Sequence, residues 1–374
     1  MPSPNNRGCH IPFASFRRSI LTVRSDQVHS EMSHDPNIKC LESFQRQVFA
    51  RFHDLSVVSA DELLSVSWIH KLLDAFTMSQ EDFSTLLSDN KTLLSKPPAD
   101  RLATEYFERA IKAMDIFNAT RNGVETVCVW QKHLEIVVCA LDAKQRTIPA
   151  QCFHTETALL GVKARNTNGA HHQGTLGHSL GACHILGQPL SSSSPLRTLV
   201  PPKTNEIAAT NGLAMLIFAM SFILMFVLWV LVAAIPCQDR GVQIHFAIPR
   251  QFSWSTPLFL LHSRIMDESK KREQRNTCGL LKEIYQIEKC VHQLTDSVDA
   301  AQFPLSDRLK DEVNENVNEL SLACGAFKTG LEPLQCKLRE TFRKVMACRS
   351  RVPWQGHTAL VSVCVRLAIN FFLD

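Results

Sequence analysis

LAMLIFAMSFILMFVLWVLVAAI, residues 213–235, carries no charge and a single hydroxyl, Ser221. As a helix rising 1.5 Å per residue it would reach about 34 Å, enough to cross a hydrocarbon core of about 30 Å. Two structures meet that description: a single transmembrane span, or the central helix of a bundle, covered on every side. Length and uniformity favour the span, and Pro236 ends the helix in either case. The flanking cations, Arg197 and Lys203 before it and Arg240 and Arg250 after it, assign no orientation. The larger group Arg264, Lys270, Lys271, Arg272 and Arg275 favours a cytosolic C-terminal half.

Upstream the chain repeats apolar residues at helical spacing. Leu41, Phe44, Val48, Phe52 and Leu55 form one stripe. Ser59 with Glu62 has the form of a capping box, and Leu63, Leu64, Trp68, Ile69, Leu72, Leu73 and Phe76 supply the buried face behind it. Ser79 with Asp82 predicts a further helix start, before Phe83, Leu86 and Leu87. Pro97 and Pro98 break the chain. Asp100 then opens a helix bearing Leu102, Phe107, Ala110, Ile111, Met114 and Phe117, which Asn122-Gly123 predicts to stop. A last helix carries Val127, Trp130, Leu134, Val137, Val138 and Leu141. No strand alternation occurs in this half.

Downstream, Leu280, Ile284, Ile287, Val291, Leu294 and Val298 alternate steps of four and three, a heptad-like seam. After Pro304, Ser306-Asp307 can restart a helix carrying Leu309, Val313, Val317, Leu320, Cys324, Phe327, Leu331, Leu334, Leu338 and Val345. Gly330 and Pro333 predict a kink or break in it. The short interruption makes the two helices an antiparallel hairpin. Asp311, Glu312, Glu315 and Glu319 fall opposite the seam, where solvated charge belongs.

The expected fold is therefore all-α: a multi-helix bundle, one long hydrophobic helix and a C-terminal antiparallel hairpin. The divisions are a disordered basic arm (1–38), an N-terminal helical bundle (39–145), a Gly/Ser/His/Pro-rich linker (146–211) and the hydrophobic helix (212–236). A connecting segment (237–277), the hairpin (278–348) and an apolar tail (349–374) follow.

Composition excludes several functions. Forty Lys and Arg stand against 36 Asp and Glu, a net charge of +4, too mild and too dispersed for nucleic acid. Thirteen cysteines, an odd number with no C-x-x-C, read as reduced thiols rather than a disulfide framework. The arm holds Arg7, Arg17, Arg18 and Arg24 before its first acid, Asp26, and Pro2 excludes the N-myristoylation pattern.

Gly177-His178-Ser179-Leu180-Gly181 matches the nucleophile elbow of serine hydrolases, whose chemistry requires a strand, a tight turn and a helix. The residues before it, NGAHHQGTL, are not a strand, so a serine hydrolase using Ser179 stays a remote alternative and no nucleophile is assigned. His171, His172, His178, Cys183 and His184 have no spacing of an established zinc site and read as a solvated loop. No phosphate loop, H-E-x-x-H or isolated carboxylate pair is present. No catalytic, cofactor-binding or metal-binding residues are assigned, no small-molecule substrate is evident, and the chain is expected not to be an enzyme.

Several segments carry information in their wording. PFASFRRSIL…RSDQVHS (12–30), LESFQRQVFARFHDLS (41–56), ELLSVSWIHKLLDAF (62–76), DRLATEYFERAIKAMDIFNATRNGVE (100–125) and WQKHLEIVVCALD (130–142) resemble the plant BYPASS-related proteins. So do NEIAATNGLAM (205–215), LVAAIPCQDRGVQIHFAIPRQFSW (231–254) and ESKKREQRNTCGLLKEIYQIEKC (268–290), and the match is with the exocyst-interacting branch. The resemblance implies helical structure, a predicted membrane segment, no enzymatic activity and contact with an exocyst subunit in polarised secretion. Other members are linked to control of a root-derived growth signal. The linker is shorter and differently worded than in the family, and RSRVPWQGHTALVSVCVRLAINFFLD (349–374) replaces its polar tail. The expectation is a membrane-associated adaptor with cytosolic helical domains; with 213–235 as a core helix it becomes a cytosolic regulator.

Overall fold

The computed structural model describes residues 36–141, 199–235, 248–249, 252–273, 279–299 and 307–351. Among them the only regular structure is helical: α1 (Pro36–Ser56), α2 (Val66–Asp89), α3 (Lys91–Leu94), α4 (Ala99–Leu141), α5 (Thr204–Ala209), α6 (Leu213–Ala234), α7 (Thr256–Glu273), α8 (Lys282–Asp299) and α9 (Asp307–Arg351). A 3₁₀ turn, Ser253–Ser255, precedes α7. The all-α reading holds, with its long apolar helix and C-terminal hairpin. Most of the basic arm, residues 142–198 (the end of the expected bundle and most of the linker) and the tail beyond Arg351 lie outside the described residues.

The apolar helix α6 is the axis of one continuous core. Every residue from Leu213 to Val232 is buried. Phe226 meets Phe52 of α1 edge-on at 6.5 Å, Phe222 meets Trp254 of the 3₁₀ turn at 5.8 Å, and Trp229 lies 4.8 Å from His262 of α7. Arg109 of α4 donates to Ser221 at 3.1 Å. Both ends are satisfied within the protein, as exposed helix termini otherwise require. Thr210 Oγ1 accepts from the Ala214 N–H at 3.0 Å, and the carbonyls of Ala233 and Ala234 accept from Leu280 and Leu281.

The remaining long helices are registered by polar rungs. Asp74 pairs with Lys337, Thr77 with Thr341 at 3.3 Å and Glu81 with Lys344 at 2.7 Å, so α2 and α9 run parallel. Cys128 with Gln335 at 3.7 Å and Glu135 with Lys328 at 2.9 Å set α4 antiparallel to α9. Gln286 with Glu319 and Ser297 with Glu312 give the antiparallel hairpin of α8 and α9. The seam residues Ile284, Ile287, Leu294, Leu320, Phe327, Leu334 and Leu338 are all buried, and Asp311, Glu312, Glu315 and Glu319 are exposed.

Four local expectations are corrected. Ser59 accepts from the Glu62 N–H at 3.2 Å, but only a turn forms there. Leu64 takes φ 64° with its side chain fully buried, and α2 starts one residue later on Ser65, whose Oγ accepts from the Trp68 N–H. A distant carboxylate decides this: Glu283 of α8 accepts from the Val66 N–H at 2.9 Å. Ser79 starts nothing, because its hydroxyl returns to the Ala75 carbonyl and α2 continues past it.

Asn122-Gly123 does not stop α4, whose later turns are held against α9. An interior glycine costs only about 1 kcal/mol. Gly330 and Pro333 likewise leave α9 continuous. A Cβ at Gly330 would come within 3.0 Å of Val66, so the glycine is a close-approach point between α9 and the start of α2. Two further helices lie outside the expected bundle and hairpin. Residues 199–211, at the end of the linker, hold α5, and residues 237–277 hold α7, whose Arg264 donates to the carbonyls of Ser56 and Val58.

Candidate functional site

The two motifs weighed for chemistry, Ser179 with its flanking glycines and the His171–His184 group, lie outside the described residues. Among the described residues no cluster of three or more His, Cys, Asp or Glu side chains could hold a metal. The seven described cysteines are free thiols. Cys290, Cys324 and Cys348 are buried, and loss of solvation raises the Cys324 thiol to about 11, so it is inert as a nucleophile at neutral pH.

One concave feature stands out beside the core helix, a groove of about 400 Å³. Its construction follows from helical spacing. Arg101, Glu105 and Arg109 recur at four on α4, and Ala214, Ile217, Phe218 and Ser221 fall on one face of α6. The third wall is the segment Leu199–Lys203 leading into α5. Its prolines hold it extended, and Glu206 accepts from the Lys203 backbone N–H at 2.9 Å.

Arg101 bridges the walls by donating to Glu105 at 2.9 Å and to Glu206 at 2.8 Å. Arg109 lies deeper, with a side chain only 13% exposed; it donates to Glu105 and to Ser221. Burial holds its guanidinium below the usual arginine range, an effect opposed by Glu105. Its Nε is buried without an acceptor. Sequence reasoning missed this groove. The available signal was Ser221, the sole hydroxyl in an otherwise uniform apolar helix, which calls for a polar partner.

A second feature is apolar surface at the end of α4. Val129 and Ile136, seven residues apart on one helix face, are 54% and 66% exposed. They lie beside the Glu135–Lys328 pair that fastens α4 to α9.

Comparison with known proteins finds relatives along most of the chain. The chain matches the family model described as "Protein ROH1-like" over residues 10–160 and 152–353. It is 39% identical over 377 residues to Protein ROH1D of Arabidopsis thaliana, an alignment covering 90% of this chain and 95% of that one. To Protein ROH1A of the same plant it is 28% identical over 410 residues, covering 94% and 96%. No solved structure matches.

Proposed function

Because this chain belongs to the ROH1-like, BYPASS-related family, we propose that it is a non-catalytic helical adaptor of polarised secretion whose apolar helix is structural core and whose outer surface binds an exocyst subunit. The observation that carries the core-helix reading is the burial of α6 on all its faces, with both ends hydrogen-bonded inside the protein. A lipid-facing helix has no need of an arginine partner for its one hydroxyl, nor of aromatic neighbours from α1, α7 and the 3₁₀ turn. The exocyst partner follows from the family wording of residues 41–142 and 205–290. The exposed Val129 and Ile136 are apolar surface of the kind a protein partner covers.

A second reading keeps α6 as a membrane span, favoured by its 22 uncharged residues. Alkaline carbonate extraction of the full chain from plant cells separates the two. The core-helix reading expects release into the supernatant. Retention in the pellet, abolished by deleting 213–235, would replace it with a membrane-integrated adaptor. The adaptor reading itself is tested by co-precipitation with exocyst subunits, and failure to recover any of them would remove the secretory partner.

A further inference from the structure

We propose that the groove between α4, the Leu199–Glu206 segment and α6 binds a small organic monocarboxylate with an apolar body. This goes beyond the adaptor reading and does not depend on it. The groove's volume, about 400 Å³, lies in the range of small-molecule sites. Its surfaces divide by chemistry, as such sites do: Leu102, Leu199, Pro201, Ile217 and Phe218 offer apolar contact, and the charged groups stand together beside them.

The charge count selects the ligand. Among the described lining residues Arg101, Arg109 and Lys203 stand against Glu105 and Glu206, a surplus of one positive charge. Arg101 is fully engaged by the two glutamates. Arg109 pairs with Glu105 as well, so the surplus rests on Lys203, whose ammonium has no carboxylate partner among the described residues. A single carboxylate balances it, whereas a phosphate dianion would bring excess charge against Glu105 and Glu206.

The hydrogen-bond count points the same way. Arg109 Nη1 reaches Ser221 and Nη2 reaches Glu105, but Nε is buried with no acceptor. The groove does not reach Nε, but Nη1 and Nη2 each keep a second N–H, which a carboxylate can accept. Ser221 is also unusual among the helical hydroxyls. Thr77, Thr120, Thr295 and Thr341 each return their proton to the carbonyl four residues back, whereas the bond recorded for Ser221 is the one it accepts from Arg109.

The test uses the full chain with 4-phenylbutanoate, its uncharged amide and inorganic phosphate, followed by calorimetry and ligand-observed NMR. The acid should bind saturably, with the amide at least about tenfold weaker and phosphate weaker than the acid. Lys203→Glu, on the exposed rim, should weaken the acid severalfold and leave the melting temperature in place. Arg109→Gln should abolish acid binding; if that variant does not fold, Lys203→Glu decides alone. Equal affinity for acid and amide, tighter binding of phosphate, unchanged affinity in Lys203→Glu, or no saturable binding of the acid at millimolar concentration would each overturn the assignment.

Discussion

Arg264 shows how much a single side chain can hold together here. Its two terminal nitrogens reach the carbonyls of Ser56, at the end of α1, and Val58 just beyond, at 2.6 and 2.8 Å. The Ser56 carbonyl belongs to the set a helix leaves unsatisfied, and a cation there also meets the negative end of the helix dipole. Charge-assisted hydrogen bonds contribute about 1.5–3 kcal/mol. Arg264→Met should therefore lower the urea unfolding free energy by about 2 kcal/mol, and an unchanged midpoint would mean that water caps α1 equally well.

Two glycines of α9 make a paired prediction. Gly325 has nothing within 4 Å of an added Cβ, so Gly325→Ala should raise stability by about 0.5–1 kcal/mol through helix propensity. Gly330 would drive a Cβ to 3.0 Å from Val66 Cγ1. Gly330→Leu should cost about 1–3 kcal/mol by overpacking. Thermal melts of the two variants should move in opposite directions, and a shared direction would refute the packing account of Gly330.

At the scale of elements, α2 and α9 are joined by a charged and hydroxylated ladder whose acidic centre is Glu340. Hydrogen bonds from Lys337 and Lys344 lower its carboxyl from 4.5 to about 2. A depressed folded-state pKa stabilises fully above the unfolded value and loses that contribution as pH falls through the folded one. Above about pH 4.5 Glu340 thus stabilises, within α9, the two lysines that reach Asp74 and Glu81 of α2, and its support fades towards pH 2. Its side chain is 42% exposed, so solvent screening leaves only a modest effect. Glu340→Gln should flatten the acid side of the stability profile between those two pH values, and an unaltered profile would show the ladder to be energetically idle.

The apolar helix behaves differently, because its whole circumference is covered. Leu224 is fully buried near its middle. Leu224→Arg should prevent folding, since an unpaired buried charge costs several kcal/mol. Circular dichroism of the purified variant reads this directly. A folded, soluble variant would contradict the central position of α6.

For the molecule as a whole, the proposed adaptor reading puts function on the surface rather than in a catalytic centre. Val129 and Ile136 are exposed and add little to the core, so Val129→Asp with Ile136→Asp should leave the melting temperature within about 1 °C. If the adaptor surface lies on α4, the same pair should abolish co-precipitation of an exocyst subunit. Intact co-precipitation would move the contact to another face.

Periodicity by itself determined the helical class, the buried stripes of α1, α2 and α4, and the α8–α9 hairpin, because the 3.6-residue repeat records which face of a helix meets the core. Family membership was equally legible, from the wording of segments such as 41–56 and 100–125. Where helices begin and end was less so. Ser59, Ser79, Asn122-Gly123 and Gly330 carry local signals that packing against distant helices outweighed, and the real start of α2 depends on a carboxylate 217 residues away at Glu283. The surroundings of residues 213–234 were beyond the sequence altogether, since a uniformly apolar helix satisfies lipid and protein core alike. Only the tertiary structure supplied the neighbours, Phe52, Trp254, His262 and Arg109, that enclose it, and with them the groove at Ser221, whose walls come from stretches of chain about a hundred residues apart.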